Sequence, residues 1–141
     1  MATRGLGTVL KMGKAAQAKS VAGLTEIGGL ELSADTIDVT TLDSDGGYRE
    51  FIGGFKDGGE VSISGYFDPV TGKGQKELYD AFESGEVQDF IIEFPAQLKA
   101  KWEFKGVVTG FSTSVGLEDP VGFSGSIKVS GKPTLAVTAG V

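Results

Sequence analysis

The chain of 141 residues contains neither cysteine nor histidine. Without cysteine it has no disulfides, no thiolate nucleophile and no thiolate metal site. Without histidine it lacks the commonest general base and the commonest metal ligand. No apolar run approaches the roughly 20 residues that a membrane-spanning helix needs, and the glycine- and lysine-interrupted start does not read as a signal peptide. We therefore expect no enzymatic activity, no catalytic or metal site, no cofactor and no membrane binding.

Glycine is abundant, at 23 residues, and charge is distributed unevenly around a net value of −6. Four basic residues precede the first acidic one, Glu26, and we interpret residues 1–20 as a flexible basic arm carrying Arg4, Lys11, Lys14 and Lys19. Between Glu26 and Asp68, ten carboxylates face only two basic residues. A basic arm and an acidic body attract each other between copies. The alternative is a solvated disordered terminus, and DNA binding is disfavoured because the net charge repels phosphate.

Alternating apolar and polar residues predict a mainly β fold in one domain, 1–141. The pattern favours a β-sandwich or barrel of about eight short antiparallel strands with one flanking α-helix. In the long run 101–114, Gly106 or Gly110 is expected to mark a bulge. Pro133 limits the last strand to a sheet edge, and we assign 134–141 to a C-terminal tail. The candidate strands are 8–12, 21–27, 30–33, 36–40, 60–67, 87–94, 101–114, 121–130 and 134–137.

One segment has helical periodicity, over about residues 74–84. Gln75, Leu78, Tyr79 and Phe82 recur at the spacing of one helix face. Gly85 suits the left-handed conformation that ends a helix. We expect this helix to lie against the sheet through Leu78 and Phe82.

Residues 41–59 are predicted to form a long loop, rich in glycine and aspartate, between two regions of strand pattern. Compact domains seldom keep an ordered loop of this length without a use for it. Our first hypothesis is that a neighbouring molecule completes the fold here, so this is an inter-subunit loop. A calcium loop is the weaker alternative, because Gly46 follows the acidic residues too early for an EF-hand. The candidate assembly residues are Asp43, Asp45, Tyr48, Arg49, Phe51 and Phe55.

Three segments in this order resemble the major tail tube proteins of long, non-contractile-tailed bacteriophages. They are Ile-Asp-Val-Thr at 37–40, Gly-Gly-Phe-Lys-Asp-Gly at 53–58 and Gly-Phe-Ser-Gly-Ser-Ile-Lys-Val-Ser-Gly at 122–131. The resemblance covers about residues 21–133 and rests on order and spacing, since none of the segments is a catalytic signature. The extra immunoglobulin-like domain of some relatives is not expected here.

The resemblance implies a structural subunit of the virion, made and assembled in the cytoplasm of the host bacterium. In such proteins the sheets of six subunits join edge to edge into a β-barrel ring, with the helix outside. Rings stack through the long loop and terminal arms into a tube that conducts double-stranded DNA without binding it specifically. Expected partners are further copies, a tape-measure protein, tail tip or initiator proteins and a terminator protein. The alternatives are the inner tube of a contractile injection machine and a small β-sandwich binding module.

A DNA conduit requires a wall that does not hold phosphate. An acidic or hydroxyl-rich wall repels the duplex or leaves it hydrated, whereas a basic wall binds it. Lys128 lies among the polar positions and would need an acidic neighbour. The alternative is the solvent face of an ordinary sheet. The candidate lumen face comprises Glu31, Asp38, Ser62, Ser64, Ser124 and Ser126.

Overall fold

The computed structural model describes residues 4–13, 19–68, 70 and 74–137. These residues form nine β-strands and one α-helix, which confirms the mainly β fold with a single flanking helix. The strands are β1 Val9–Met12, β2 Lys19–Ser20, β3 Leu24–Gly28, β4 Ser33–Asp38, β5 Phe51–Asp57, β6 Glu60–Tyr66, β7 Gln88–Glu93, β8 Ala100–Ser114 and β9 Gly122–Val137. Helix α1 spans Gln75–Ser84.

Seven strands form one antiparallel sheet in the order β2-β1-β7-β8-β9-β6-β3, and β4 pairs with β5 in a separate two-stranded sheet. The two edge strands of the large sheet, β2 and β3, are joined directly by residues 21–23. Four residue steps from Ser20 to Leu24 span at most about 14 Å. The edges of the sheet therefore lie close together, so the sheet curls into an incomplete barrel.

The connection between the two edges is held by a buried polar side chain, Gln75. Its amide nitrogen donates to the carbonyls of Ala22 and Tyr66, at 2.8 Å each. Its amide oxygen accepts the backbone N–H of Asp68, also at 2.8 Å. Gly23 suits this crossing because its φ is +78° and a Cβ there would meet the Tyr66 carbonyl at 2.9 Å. Gln75 thus links the inter-edge segment to the end of β6.

The core lies on one face of the curled sheet and beneath α1. Alternate residues of each strand point to this face, as period-two patterning requires. Of the alternating apolar residues in the candidate strands 60–67 and 121–130, Val61, Ile63, Phe123, Ile127 and Val129 are buried, whereas Val121 is 40% exposed. The other buried members of the cluster are Leu10, Val21, Leu30, Leu78, Ala81, Phe90, Ile92, Phe104 and Val108.

Helix α1 begins after Gly74 and ends at Gly85, as predicted. Gly85 has φ +69°, and its N–H donates to the Ala81 carbonyl at 3.0 Å. Gln75 and Leu78 of the predicted face are buried, as expected, but the third buried residue of the helix is Ala81. Phe82, expected to contact the sheet, is 40% exposed. The helix is rolled so that the small Ala81, not the ring, faces the sheet.

A bulge in β8 explains why both faces of this strand carry apolar residues. The register with β9 shifts between Val108 and Gly110, in agreement with the second of the two predicted bulge positions. One extra residue reverses the parity of every side chain beyond it. Phe111 therefore joins the core face of Val108, where it lies 5.1 Å from the ring of Phe123 and 5.5 Å from that of Tyr79.

Several predicted boundaries are wrong. The candidate strand 8–12 is confirmed as β1, but it lies inside the large sheet with Leu10 fully buried, so these residues are not part of a flexible arm. Residues 51–57 of the supposed loop are strand β5, so the irregular part is only 39–50. Residues 30–32, predicted as a strand, are not strand, whereas the predicted edge strand 134–137 is confirmed as the end of β9 and pairs with 100–103. Pairing with β4 makes 51–57 a strand, and pairing with β8 makes 134–137 one.

Candidate functional site: assembly surfaces and a hydroxyl face

The two-stranded sheet projects from the body as a ribbon, which we define as residues 33–57. Strands β4 and β5 pair from Ser33–Asp57 to Asp38–Phe51, with a register shift opposite Asp35. The shift is accommodated by Gly54, where a Cβ would lie only 3.2 Å from the Asp35 carbonyl oxygen. At its distal end the chain turns through Gly46 and Gly47, with φ of +64° and +76°.

Hydrogen bonds hold the distal loop of the ribbon in shape. Arg49 Nη1 donates to Asp38 Oδ2 at 2.9 Å, and the Thr40 N–H donates to Asp38 Oδ1 at 2.9 Å. These bonds, chiefly those from Thr40, lower the pKa of Asp38 below its ordinary value. Ser44 Oγ donates to Glu50 Oε2 at 2.8 Å and accepts the Thr41 N–H.

The base of the ribbon is fastened to the large sheet. Lys128 Nζ donates to Asp57 Oδ1 at 3.0 Å, and the Val129 N–H donates to the Gly59 carbonyl at 3.0 Å. The pKa of Asp57 is lowered, first by the hydrogen bond from the Gly59 N–H and then by Lys128. Asp57 is the acidic neighbour that the sequence required for Lys128.

The ribbon exposes large apolar side chains on both of its faces. The strand register places Ile37 and Ile52 on one face and Phe51 on the other, and the shift opposite Asp35 puts Phe55 on the face of Ile37 and Ile52. Phe55 is 91% exposed, and the other three are about half exposed. Leu42, in the distal loop, is fully exposed. Such apolar exposure on a small element is typical of an interaction surface.

All six candidate assembly residues lie in the ribbon, but they differ in position. Tyr48 is 78% exposed, and Phe51 and Phe55 belong to strand β5. Asp43 and Asp45 are on the distal loop, whereas Arg49 is turned back onto Asp38. The sequence reading missed Ile37, Ile52 and Leu42. The alternation within 36–40 would have revealed Ile37 had the partner strand been recognised.

A second surface is the hydroxyl face, on the side of the sheet opposite the core. We define it as Ser62, Ser64, Thr109, Ser112, Ser124 and Ser126, on β6, β8 and β9. The hydroxyl oxygens of Ser126 and Thr109 are 3.0 Å apart, and the hydroxyl groups of Ser124 and Ser112 are hydrogen-bonded to each other. Four of the six predicted lumen residues are thus brought together across neighbouring strands.

The other two predicted lumen residues are not on the hydroxyl face. Asp38 is in the ribbon, and Glu31 lies in the irregular segment beside Gly59. Glu26 of β3, which the sequence reading did not select, is the cross-strand partner of Ser64. Only the register between β3 and β6 brings that carboxylate to the serines.

The remainder of this side of the sheet is charged but nearly balanced. Lys11 contacts Glu93 at 3.0 Å, and Lys101 contacts Glu103 at 3.2 Å. The register places five carboxylates and four lysines on this side of the large sheet. They are Glu26, Glu60, Asp89, Glu93 and Glu103, and Lys11, Lys101, Lys105 and Lys128.

The basic residues of the supposed arm do not form one group. Lys11 is ion-paired within the sheet, Lys19 is exposed in β2, and Arg4 is exposed before β1. Lys14 lies outside the described residues. Among the described residues, no helix has the length and apolar character needed to cross a membrane, and no three His, Cys, Asp or Glu side chains group together as metal ligands.

A curled sheet with open edges and an exposed apolar ribbon are features typical of a structural β-protein that contacts further chains. A family model described as "Lambda phage tail tube protein, TTP" matches residues 10–136. The chain belongs to this family of structural tail tube proteins, and it is a component of the phage virion. The resemblance noted in the sequence is thereby confirmed. No curated protein matches the chain significantly.

Solved structures of tubes share the fold. The tail of an empty gene transfer agent particle, refined with C6 symmetry, matches with a TM-score of 0.78 and 23% identity over 98% of this chain and 100% of that one. The SPP1 tail tube matches with a TM-score of 0.72 and 16% identity, over 97% of this chain and 80% of that one. A sheath–tube complex of an extracellular contractile injection system matches with a TM-score of 0.70 and 16% identity, over 93% of this chain and 88% of that one.

Proposed function

We propose that this tail tube protein forms hexameric rings that stack into a tube, and that the lumen conducts double-stranded DNA into the host. The chain has a structural and not an enzymatic role in this proposal. Its partners are copies of itself, a tape-measure protein that sets tube length, and initiator and terminator proteins at the two ends. The symmetry and the terminating cap of the matched tubes support this arrangement.

The observation that carries the proposal is the ribbon with apolar side chains on both faces. Ile37, Ile52 and Phe55 on one side, and Phe51 on the other, are exposed in the isolated chain. A ribbon contacted on both faces lies between two neighbours, which suits a position between subunits of one ring and the next. Stacking of this kind is a heterologous contact, so it propagates and gives a tube of open length.

The hydroxyl face is proposed to line the lumen. Its serines and threonine keep a hydration layer, and the lysines on the same side of the sheet lie opposite or beside carboxylates. A wall with balanced charge releases few counterions from DNA, so it gives little affinity for the passing duplex.

Electron microscopy of the purified chain at rising concentration tests the assembly. We expect tubes with a regular axial repeat for the wild type, and their loss in the double variant Ile52→Ser, Phe55→Ser. Both side chains are exposed, so the variant should keep the circular dichroism spectrum and unfolding midpoint of the wild type. Val87→Ser, at a 52% exposed position outside the ribbon, is the control and should form tubes. Persistent monomers of the wild type at every concentration would refute the proposal.

A further inference from the structure

The turn between β8 and β9 is an exposed apolar and acidic tip, which we define as residues 115–121. Leu117 is fully exposed and Val115 is 80% exposed. Glu118 and Asp119 follow directly, and neither makes a salt bridge within the described part of the chain. The turn is closed by the Asp119 N–H, which donates to the Gly116 carbonyl at 3.4 Å. The tip therefore presents one leucine beside two negative charges.

A cleft with basic residues, opposite in charge to the tip, lies where the base of the ribbon meets the second half of β9. Its apolar lining includes Leu32, Ala34, Gly58 and Pro133, and its rim carries Lys56 and Lys132. Neither of these lysines has an ionic partner among the described residues, whereas Lys128 nearby is paired with Asp57. The two unpaired lysines make this cleft positive in a chain whose net charge is −6.

The strand edge in the cleft is unsuited to another strand. The ladder between β6 and β9 ends at Glu60–Lys128, and beyond the hydrogen bond from Val129 to Gly59 no strand pairs with β9 on that side within the described structure. Pro133 lies on this free edge and has no N–H to donate, which disfavours strand addition. A side chain inserted from a turn does not need a backbone N–H from this edge.

We propose that the tip of one copy docks in the cleft of a second copy, with Leu117 against Leu32 and Pro133 and with Glu118 and Asp119 facing Lys56 and Lys132. This contact deepens the proposed self-association and rests on it. From Gly122 to Val129 the strand runs about 23 Å, so a tip cannot reach the cleft of its own chain. Two different patches of the molecule meet, which makes the contact head-to-tail and able to propagate.

Disulfide cross-linking tests the contact, and only the introduced cysteines can react because the chain has no cysteine of its own. The double variant Leu117→Cys, Leu32→Cys is oxidised at rising protein concentration and analysed by denaturing electrophoresis. A disulfide requires Cα atoms about 4.4–6.8 Å apart. We expect a ladder of covalent oligomers. The matched control is Leu117→Cys, Val87→Cys, whose second cysteine has similar exposure to Leu32, and it should stay below a tenth of that yield.

Charge reversal in the cross-linking variant tests the electrostatic part. Lys132→Glu should lower the ladder yield about threefold, and adding Glu118→Lys should restore it, given the size of exposed ion pairs. Tubes that form without the ladder would overturn the docking and leave the proposed tube intact. A ladder without tubes would support the docking and refute the tube. If neither tubes nor a ladder form, the proposed docking and the proposed tube are both overturned.

Discussion

At the scale of single residues, Gln75 shows how a polar side chain can hold a β-fold together. It is fully buried, and its amide makes three hydrogen bonds to backbone groups of two separate segments. Burial of an amide is favourable only when its hydrogen-bonding groups are satisfied. Its place on the apolar stripe of the helix was readable from the sequence, but its partners were not.

We predict that Gln75→Leu lowers the free energy of unfolding by about 2–3 kcal/mol, because the carbonyls of Ala22 and Tyr66 lose a donor in a buried site. Urea unfolding followed by circular dichroism measures the change. Gln97→Leu, at an exposed turn position, is the control and should change stability by less than about 0.5 kcal/mol. Equal stability of the Gln75 variant and the wild type would show that these bonds are replaced by water.

At the scale of elements, α1 and the ribbon depart from their sequence patterns for different reasons. Of the four residues on the predicted helix face, Gln75 and Leu78 are buried, and Ala81 is buried where Phe82 was expected. The ribbon contains a strand with two adjacent glycines, Gly53 and Gly54, which weaken the apolar alternation on which strand prediction depends. Pairing with β4, across the distal loop, makes 51–57 a strand nonetheless.

The helix orientation leads to a comparison of two substitutions. Leu78→Ala should lower the free energy of unfolding by about 2–5 kcal/mol, since it leaves a cavity in the core. Phe82→Ala removes a larger side chain, but one that is 40% exposed, so we expect less than half of that loss. Thermal or urea unfolding of both variants measures the two losses in the free energy of unfolding. The reverse order would mean that the helix packs through Phe82, as its periodicity alone suggested.

At the scale of the whole molecule, curling of the sheet separates two surfaces with different properties. The core side is covered by α1, whereas the other side carries the hydroxyl face and a nearly balanced set of charges. The ribbon projects from this body and exposes its apolar residues. One chain thus combines a polar face with an exposed apolar ribbon, the two surfaces that the proposed tube subunit needs.

If the hydroxyl face lines the lumen, making it basic should cause DNA to stick. Tubes of Ser124→Lys, Ser126→Lys should retain double-stranded DNA at low salt and release it as salt rises, because lysine–phosphate contacts release counterions. Wild-type tubes should retain little. The control Glu83→Lys changes the charge of the chain by the same two units on the exposed side of α1. Filter binding across a salt series measures retention, and equal retention by both variants would place the serines outside the lumen.

The sequence by itself determined the fold class, the helix with its glycine ends and the inward sets of β6 and β9, because local periodicity encodes which residues are buried. It also assigned Ser62, Ser64, Ser124 and Ser126 to one polar side. Only the tertiary structure decided that 51–57 is a strand, that Phe111 changes face at a bulge, that Asp57 pairs with Lys128, and that the edges of the sheet approach each other at Gln75. These features depend on pairings between segments far apart in the chain, and alternation along a single strand carries no record of the register with its neighbour.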